Sequence, residues 1–159
     1  MERMSNPATH PTIPQSPDPL NQRDLVPLAV STIGLAIMLG TAIMTVFLLL
    51  NRSMVKALPV TPDARPDVYQ PAATMLLVGV MCTLIIPMVT AWGLLGPIEV
   101  SYRRFGFAMV SGLGALVVSI LAVPANELLG TNGLVGLLAL ALVVGLLLGR
   151  RVWAARSAL

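Results

Sequence analysis

The chain has 159 residues, of which 56% are hydrophobic and only 11% are charged, and its formal net charge is +3. A mean hydropathy of +0.85 excludes both a water-soluble single domain and a disordered chain. Basic residues at a membrane edge usually serve topology and contact with anionic lipid, so the positive balance does not indicate nucleic-acid binding.

The N-terminal segment is rich in proline and poor in apolar residues. Prolines at this density do not nucleate a helix, so residues 1–23 are predicted to form a disordered, Pro-rich tail. Residues 24–159 are predicted to form one membrane domain. We expect its first helix to begin after Asp24, which can cap it, with Pro27 in the first turn. The prolines of the tail are Pro7, Pro11, Pro14, Pro17 and Pro19.

Long uncharged apolar runs dominate the rest of the chain. None contains Asp, Glu, Lys, Arg or His, and about 20 such residues suffice to cross a bilayer. The sequence therefore predicts an all-α membrane protein in which four transmembrane helices form an antiparallel bundle. The predicted spans are residues 25–50, 71–96, 105–123 and 134–149.

Prolines and glycines mark the connectors and one kink. Residues 124–133 (PANELLGTNG) are predicted to form a short connector, polar at both ends and apolar at Leu128 and Leu129, that lies as an interfacial half-turn. Glu127 is its only acid and is expected to be solvated. Pro87 lies in the middle of the second predicted span. It predicts a kink there, because proline removes one backbone hydrogen bond and presses on the carbonyl of Thr83.

The distribution of basic residues predicts the orientation. Seven of the ten Lys and Arg residues fall on the side of the two termini, which places both termini in the cytoplasm. We expect the chain in the bacterial cytoplasmic membrane. Arg103, Arg104, Arg150, Arg151 and Trp153 are interpreted as interfacial residues that contact lipid headgroups or fix the topology.

Small residues line one face of the third and fourth predicted helices. In lipid such faces let helix backbones approach closely, because burial from water cannot drive their association. Gly145 and Gly149 form a GxxxG pair that packs either on the third helix or on another chain, and the third helix is predicted to be the central packing helix. The predicted packing interface comprises Ala108, Ser111, Gly112, Ala115, Ser119, Ala141, Gly145 and Gly149.

Hydroxyl residues lie on the faces of the first two helices. Thr41, Thr45, Thr83 and Pro87 suggest either a polar path or a hinge near the middle of the bundle. The alternative is packing, with each hydroxyl bonded to a backbone carbonyl one turn earlier. Packing is favoured, because such hydrogen bonds contribute less than about 1 kcal/mol each and need no function to be tolerated.

Residues that carry chemistry are few. Cys82 is the only cysteine and His10 the only histidine, so a Cys-based metal site or bis-histidine haem ligation cannot come from this chain alone. The hydroxyl groups have no base to activate them. We therefore expect no enzyme, no catalytic residue, no metal site and no cofactor.

The leading hypothesis is a non-catalytic subunit, an accessory, assembly or scaffolding component of a larger membrane complex. Its partners would be the lipid bilayer and other membrane subunits. One alternative is a homo-oligomeric pore or small transporter for an uncharged solute. Another is a lipid- or quinone-binding protein with a pocket between the second and third helices, around Met88 and Trp92.

Overall fold

The computed structural model describes residues 19–57, 70–96 and 101–157, and the side chains from residue 25 onward within those ranges. This part of the chain is entirely helical, as the apolar runs predicted. The helices are α1 (Pro19–Ala57), α2 (Gln70–Leu94), α3 (Ser101–Ser119) and α4 (Ala122–Ser157).

Three of these helices are long and apolar enough to cross a membrane, over Leu25–Ala57, Gln70–Leu94 and Ala122–Ser157. The shorter α3 does not qualify, because it has only 19 residues and the two arginines of its first turn, Arg103 and Arg104, lower its mean hydropathy. The prediction of an all-helical membrane protein is confirmed at this level.

Helix α1 begins earlier than the sequence predicted. Its first residue is Pro19, so Pro27 lies inside the helix and Asp24 does not precede it. Proline inside a helix forfeits one intrahelical hydrogen bond, which the rest of a long helix can absorb. Of the predicted disordered tail, residues 1–23, residues 1–18 lie outside the part of the chain that the structure describes.

The segment between α3 and the fourth predicted span is helical over a longer stretch than the interfacial half-turn predicted within residues 124–133, so the prediction of a short connector there was wrong. Residues 122–129 form the first part of α4, and the helix changes direction at Gly130. The φ of 61° and ψ of −138° at Gly130 suit glycine, because a Cβ would clash with the backbone in this conformation. The proline and glycines of the segment therefore mark a helix start and a kink.

Helix α1 is the centre of the molecule. It packs against α2, α3 and α4, whereas α4 hardly touches α2 or α3. The expectation that α3 is the central packing helix was wrong, because α1 carries small residues on more than one side. Gly34 faces Leu148 of α4, and Gly40 faces Pro87 of α2 and Ala115 of α3.

Helix α1 runs antiparallel to α2 and α4 but parallel to α3. The contacts between α1 and α2 define the two ends of the bundle. Near the end of α1, the Asn51 side-chain amide donates a hydrogen bond to the carbonyl of Ala72 in the first turn of α2, at 2.6 Å. Near the start of α1, Ala29 packs against Leu95, just beyond α2. We call the first the Asn51 end, and the second the Arg150 end, because the C-terminal part of α4 lies there.

Candidate functional site

The predicted polar residues in the middle of the bundle are buried and bonded to their own helices. Thr41, Thr45 and Thr83 are at most 2% exposed, and each donates to the carbonyl four residues earlier, at 2.7–2.9 Å. Ser111 donates to the carbonyl of Phe107, four residues earlier, and Ser119 to that of Leu116, three residues earlier, both at 2.8 Å. These hydroxyl hydrogens are used within the helices, which is the arrangement expected of packing residues.

Thr32 departs from this pattern. Its side chain is fully buried in α1, and its hydroxyl has no hydrogen-bond partner. A buried hydroxyl in this state loses its hydration without compensation, at a cost of about 1–3 kcal/mol. The Thr32 hydroxyl is therefore expected to lower the stability of the fold.

Pro87 lies at the closest approach of three helices. Its ring carbon Cγ is 3.0 Å from the position that a Cβ on Gly40 would occupy, and the carbonyl oxygen of Thr83 is 3.2 Å from the same point. Pro87 cannot supply that carbonyl with an N–H donor. Helix α2 continues through Pro87 as one helix, and α1 packs directly on this part of it.

The predicted packing residues of α3 form its buried face. Ala108, Ser111, Gly112, Ala115 and Ser119 are the buried residues of that helix. At Gly112 an added Cβ would lie 2.8 Å from the carbonyl oxygen of Leu84 in α2. The small side chains therefore permit backbone contact between α3 and its neighbours.

The small residues of α4 face α1 and not α3. Ala141 is buried, a Cβ on Gly145 would lie 3.7 Å from Met38, and one on Gly149 would lie 4.0 Å from Leu35. The small side chains leave a groove of about 500 Å³, which we call the α1–α4 groove. It is lined by Leu35, Met38, Leu39, Ala42, Ala141, Leu142, Gly145, Leu146, Gly149, Arg150 and Trp153.

The residues proposed to surround a quinone pocket are packed against protein. Met88 and Trp92 contact a buried cluster of alanines from three helices. The Arg104 guanidinium lies 4.5 Å from the centre of the Trp92 ring, and Phe105 meets that ring edge-on at 6.5 Å. The Arg104 Nε also donates to the Trp92 carbonyl at 2.7 Å. Arg104 thus satisfies a free carbonyl in the last turn of α2, a role that sequence reasoning missed.

A second arginine joins α1 to the kink in α4. The Nη1 of half-buried Arg52 donates to the side-chain oxygen of Asn126 at 2.6 Å and to its carbonyl at 3.3 Å. The Nη2 lies 3.1 Å from the position of an added Cβ at Gly130, and Nε is buried without a partner. The sequence indicated this contact only through Asn126 and Gly130, two residue types common in turns, in a segment interpreted as a short connector.

The remaining predicted interfacial residues are exposed. Arg103, Arg150, Arg151 and Trp153 all lie on the surface at the Arg150 end, and Glu127 is exposed at the Asn51 end. In the described ranges, no group of three His, Cys, Asp or Glu residues is placed to hold a metal ion.

Comparison with known proteins adds no relative: no family model, curated protein or solved structure matches this chain.

Proposed function

We propose that this chain is a non-catalytic integral membrane subunit, an accessory, assembly or scaffolding component of a larger membrane complex. The observation that carries the proposal is the packing of α4, which rests almost entirely on α1 and hardly touches α2 or α3. The side of α4 that faces away from α1 is a continuous, exposed row of small and apolar residues at steps of three and four. We call it the α4 flank; it consists of Gly136, Leu140, Val143 and Leu147.

Gly136 favours a protein over lipid as the cover for this flank. No atom lies within 4 Å of the place where its Cβ would be, so packing inside this chain does not require glycine here. Glycine in a helix interior is destabilising by about 0.5–1 kcal/mol relative to alanine. A small residue in a membrane helix lets the backbone of another helix approach closely, which lipid tails do not need.

The proposal includes four membrane spans, with α3 as the shortest. Arg52 bonds to Asn126, so α4 begins at the Asn51 end, while α2 ends near Leu95 at the other end. Helix α3 must carry the chain between these ends. Its short apolar part can be accommodated by local thinning of the bilayer, and Arg104 is already paired with Trp92.

The same arrangement underlies the proposed orientation. Arg103, Arg104, Arg150, Arg151 and Arg156 lie at the Arg150 end, whereas Arg52 and Lys56 lie at the Asn51 end. The positive-inside rule then places the Arg150 end, and with it both termini, in the cytoplasm of a bacterial cell.

Co-purification with matched variants tests the proposal. The tagged chain is expressed at its native level, crosslinked in the membrane, solubilised mildly and purified. We expect the wild type to co-purify with a second membrane protein in a fixed ratio. Gly136→Phe should abolish this co-purification, and Val117→Phe should leave it unchanged. Val117 is a fair control because it is 65% exposed on the outer side of α3. A bare monomer, or equal loss with both variants, would contradict the proposal.

One alternative, lipid binding, has an observation of its own in the α1–α4 groove, which lies away from the α4 flank. The homo-oligomeric pore for an uncharged solute has less support, because the buried hydroxyls that would line it donate to their own helices.

A further inference from the structure

We propose that the α1–α4 groove binds one anionic phospholipid from the leaflet at the Arg150 end. One acyl chain lies along α4, and the headgroup phosphate contacts the guanidinium of Arg150. This binding site does not depend on the accessory role, because it uses a different side of α4.

The shape of the groove fits an extended hydrocarbon chain. It follows α4 from Ala141 to Trp153, which is about 18 Å at 1.5 Å per residue. Its volume of about 500 Å³ then gives a mean cross-section of about 30 Å². A single extended acyl chain can lie in a groove of this length and width.

The floor of the groove exists because its residues are small. An added Cβ at Gly145 or Gly149 would only just reach ordinary contact with α1, at 3.7 and 4.0 Å. The walls are formed by leucines and Met38. An apolar chain lying on this floor gains dispersion contacts with both helices, because the glycines of α4 leave a gap that the α1 side chains do not fill.

The polarity of the groove runs in the same direction as that of a phospholipid. Its inner part, around Ala141 and Leu142, is apolar, and Arg150 and Trp153 line the part nearest the membrane surface. Arginine binds phosphate oxygens through two parallel N–H donors. Among the residues with described side chains, Glu127 is the only acid, and it lies at the Asn51 end. No described carboxylate therefore competes for Arg150.

Two other grooves show that the two ends of the bundle differ in positive charge beside an apolar groove. A groove of about 250 Å³ at the Arg150 end, between α1 and α3, is also apolar with one arginine, Arg103. A groove of about 580 Å³ at the Asn51 end, between Phe47 and the start of α2, has no cationic side chain among the lining residues that the structure describes. A cation beside an apolar groove is thus found at the end that the basic residues place against the anionic cytoplasmic leaflet.

Native mass spectrometry of the full chain in mild detergent tests the headgroup contact. The probes are phosphatidylglycerol and phosphatidylcholine with identical acyl chains. The wild type is expected to retain one phosphatidylglycerol per chain in preference to phosphatidylcholine. Arg150→Gln should lower the affinity for phosphatidylglycerol about fivefold, to the level of phosphatidylcholine. Arg156→Gln, on the same helix but outside the groove, should leave it unchanged. Equal effects of the two variants, or no preference in the wild type, would overturn the proposal.

The acyl chain is tested separately. Gly145→Leu fills the floor and should reduce retention of both lipids, whereas Gly136→Leu, on the α4 flank, should not. Because Gly145→Leu can also disturb folding, a phosphatidylglycerol with a photoreactive group in its chain is crosslinked to the wild type. Crosslinks on the peptides that contain Met38 or Leu142 are expected. Crosslinks found only on other peptides would overturn the proposal. Displacement of the lipid by inorganic phosphate would also overturn it, because the site would then be a simple anion site.

Discussion

Gly40 of α1 lies directly against Ala115 of α3, so close that a Cβ on Gly40 would overlap the methyl group of Ala115. Pro87 of α2 closes the same point from the other side. Three helices therefore meet at a position where one of them has only a hydrogen atom. In a membrane, where burial from water does not hold helices together, such close packing is a main source of stability.

Gly40→Ala is expected to lower the free energy of unfolding by about 1–3 kcal/mol, because an extra methyl group in a packed site forces the helices apart. Denaturation by dodecyl sulfate in mixed micelles measures the loss. Gly106→Ala is the matched control, since a Cβ there meets nothing within 4 Å. Adding Ala115→Gly to Gly40→Ala should recover part of the stability. A loss that is the same with and without Ala115 would contradict the proposed contact.

Arg52 is expected to hold the first part of α4 against α1. Arg52→Gln removes the charged donor to Asn126 and should speed amide hydrogen exchange of residues 122–129 about tenfold, which corresponds to about 1.4 kcal/mol for a hydrogen bond to a charged group. Mass spectrometry of peptides from this segment gives the exchange rates. Lys56→Gln, an exposed residue one turn later, should leave the rates unchanged, and equal acceleration by the two variants would refute the contact.

Gly130→Ala is expected to destabilise the kink in α4. A residue with a Cβ is strained in this conformation by about 1–3 kcal/mol, and the new methyl group would also press on the Arg52 guanidinium. Thermal unfolding in detergent measures the change. Gly136→Ala, in the regular and open part of α4, should instead be neutral or stabilising. Identical behaviour of the two variants would show that the kink is not required.

Arg104 is expected to fix the end of α2 through its specific geometry and not only through its charge. Arg104→Lys keeps the charge but loses the Nε donor to the Trp92 carbonyl, with a loss of about 1 kcal/mol. Fluorescence of Trp92 in a Trp153→Phe background reports the change in ring environment as well as unfolding. Arg103→Lys should alter neither signal, and an unchanged spectrum for Arg104→Lys would contradict the stacked arrangement.

The buried hydroxyls offer a paired test. Thr32→Val removes a hydroxyl without a partner and should raise the free energy of unfolding by about 1 kcal/mol. Thr83→Val removes one that is bonded to its own helix and should lower that free energy by less than about 1 kcal/mol. Chemical denaturation of both variants under one condition decides the sign. A large loss for Thr83→Val would indicate a polar role beyond packing.

Uncharged apolar runs were enough to predict a helical membrane protein, because few other structures can use such segments. They could not predict the helix limits. Pro27 resembled a helix start, yet α1 continues before it, since a long helix tolerates one missing hydrogen bond. The Pro, Asn and Gly of residues 124–133 resembled a short connector, although only Gly130 leaves the helical conformation.

The site was less predictable, because it depends on which helices meet. Spacing placed Ala141, Gly145 and Gly149 on one face, but nothing in a single helix indicates that α1 lies opposite. Arg52 and Asn126 are 74 positions apart and carry no shared pattern. The hydrogen bonds of the buried hydroxyls, by contrast, are local and lie within one helical turn. The packing role of Thr41, Thr45 and Thr83 could therefore be predicted from the sequence.

If this chain works inside a complex of different membrane proteins, the mass of the native particle will show it. The protein is extracted from its native membrane into nanodiscs with a copolymer, and the mass of the purified particle is measured after subtraction of lipid. We expect a mass well above the 16.8 kDa of one chain and not an integer multiple of it, with a second polypeptide in fixed ratio. A mass of 16.8 kDa, or a whole-number multiple with this chain alone, would contradict it.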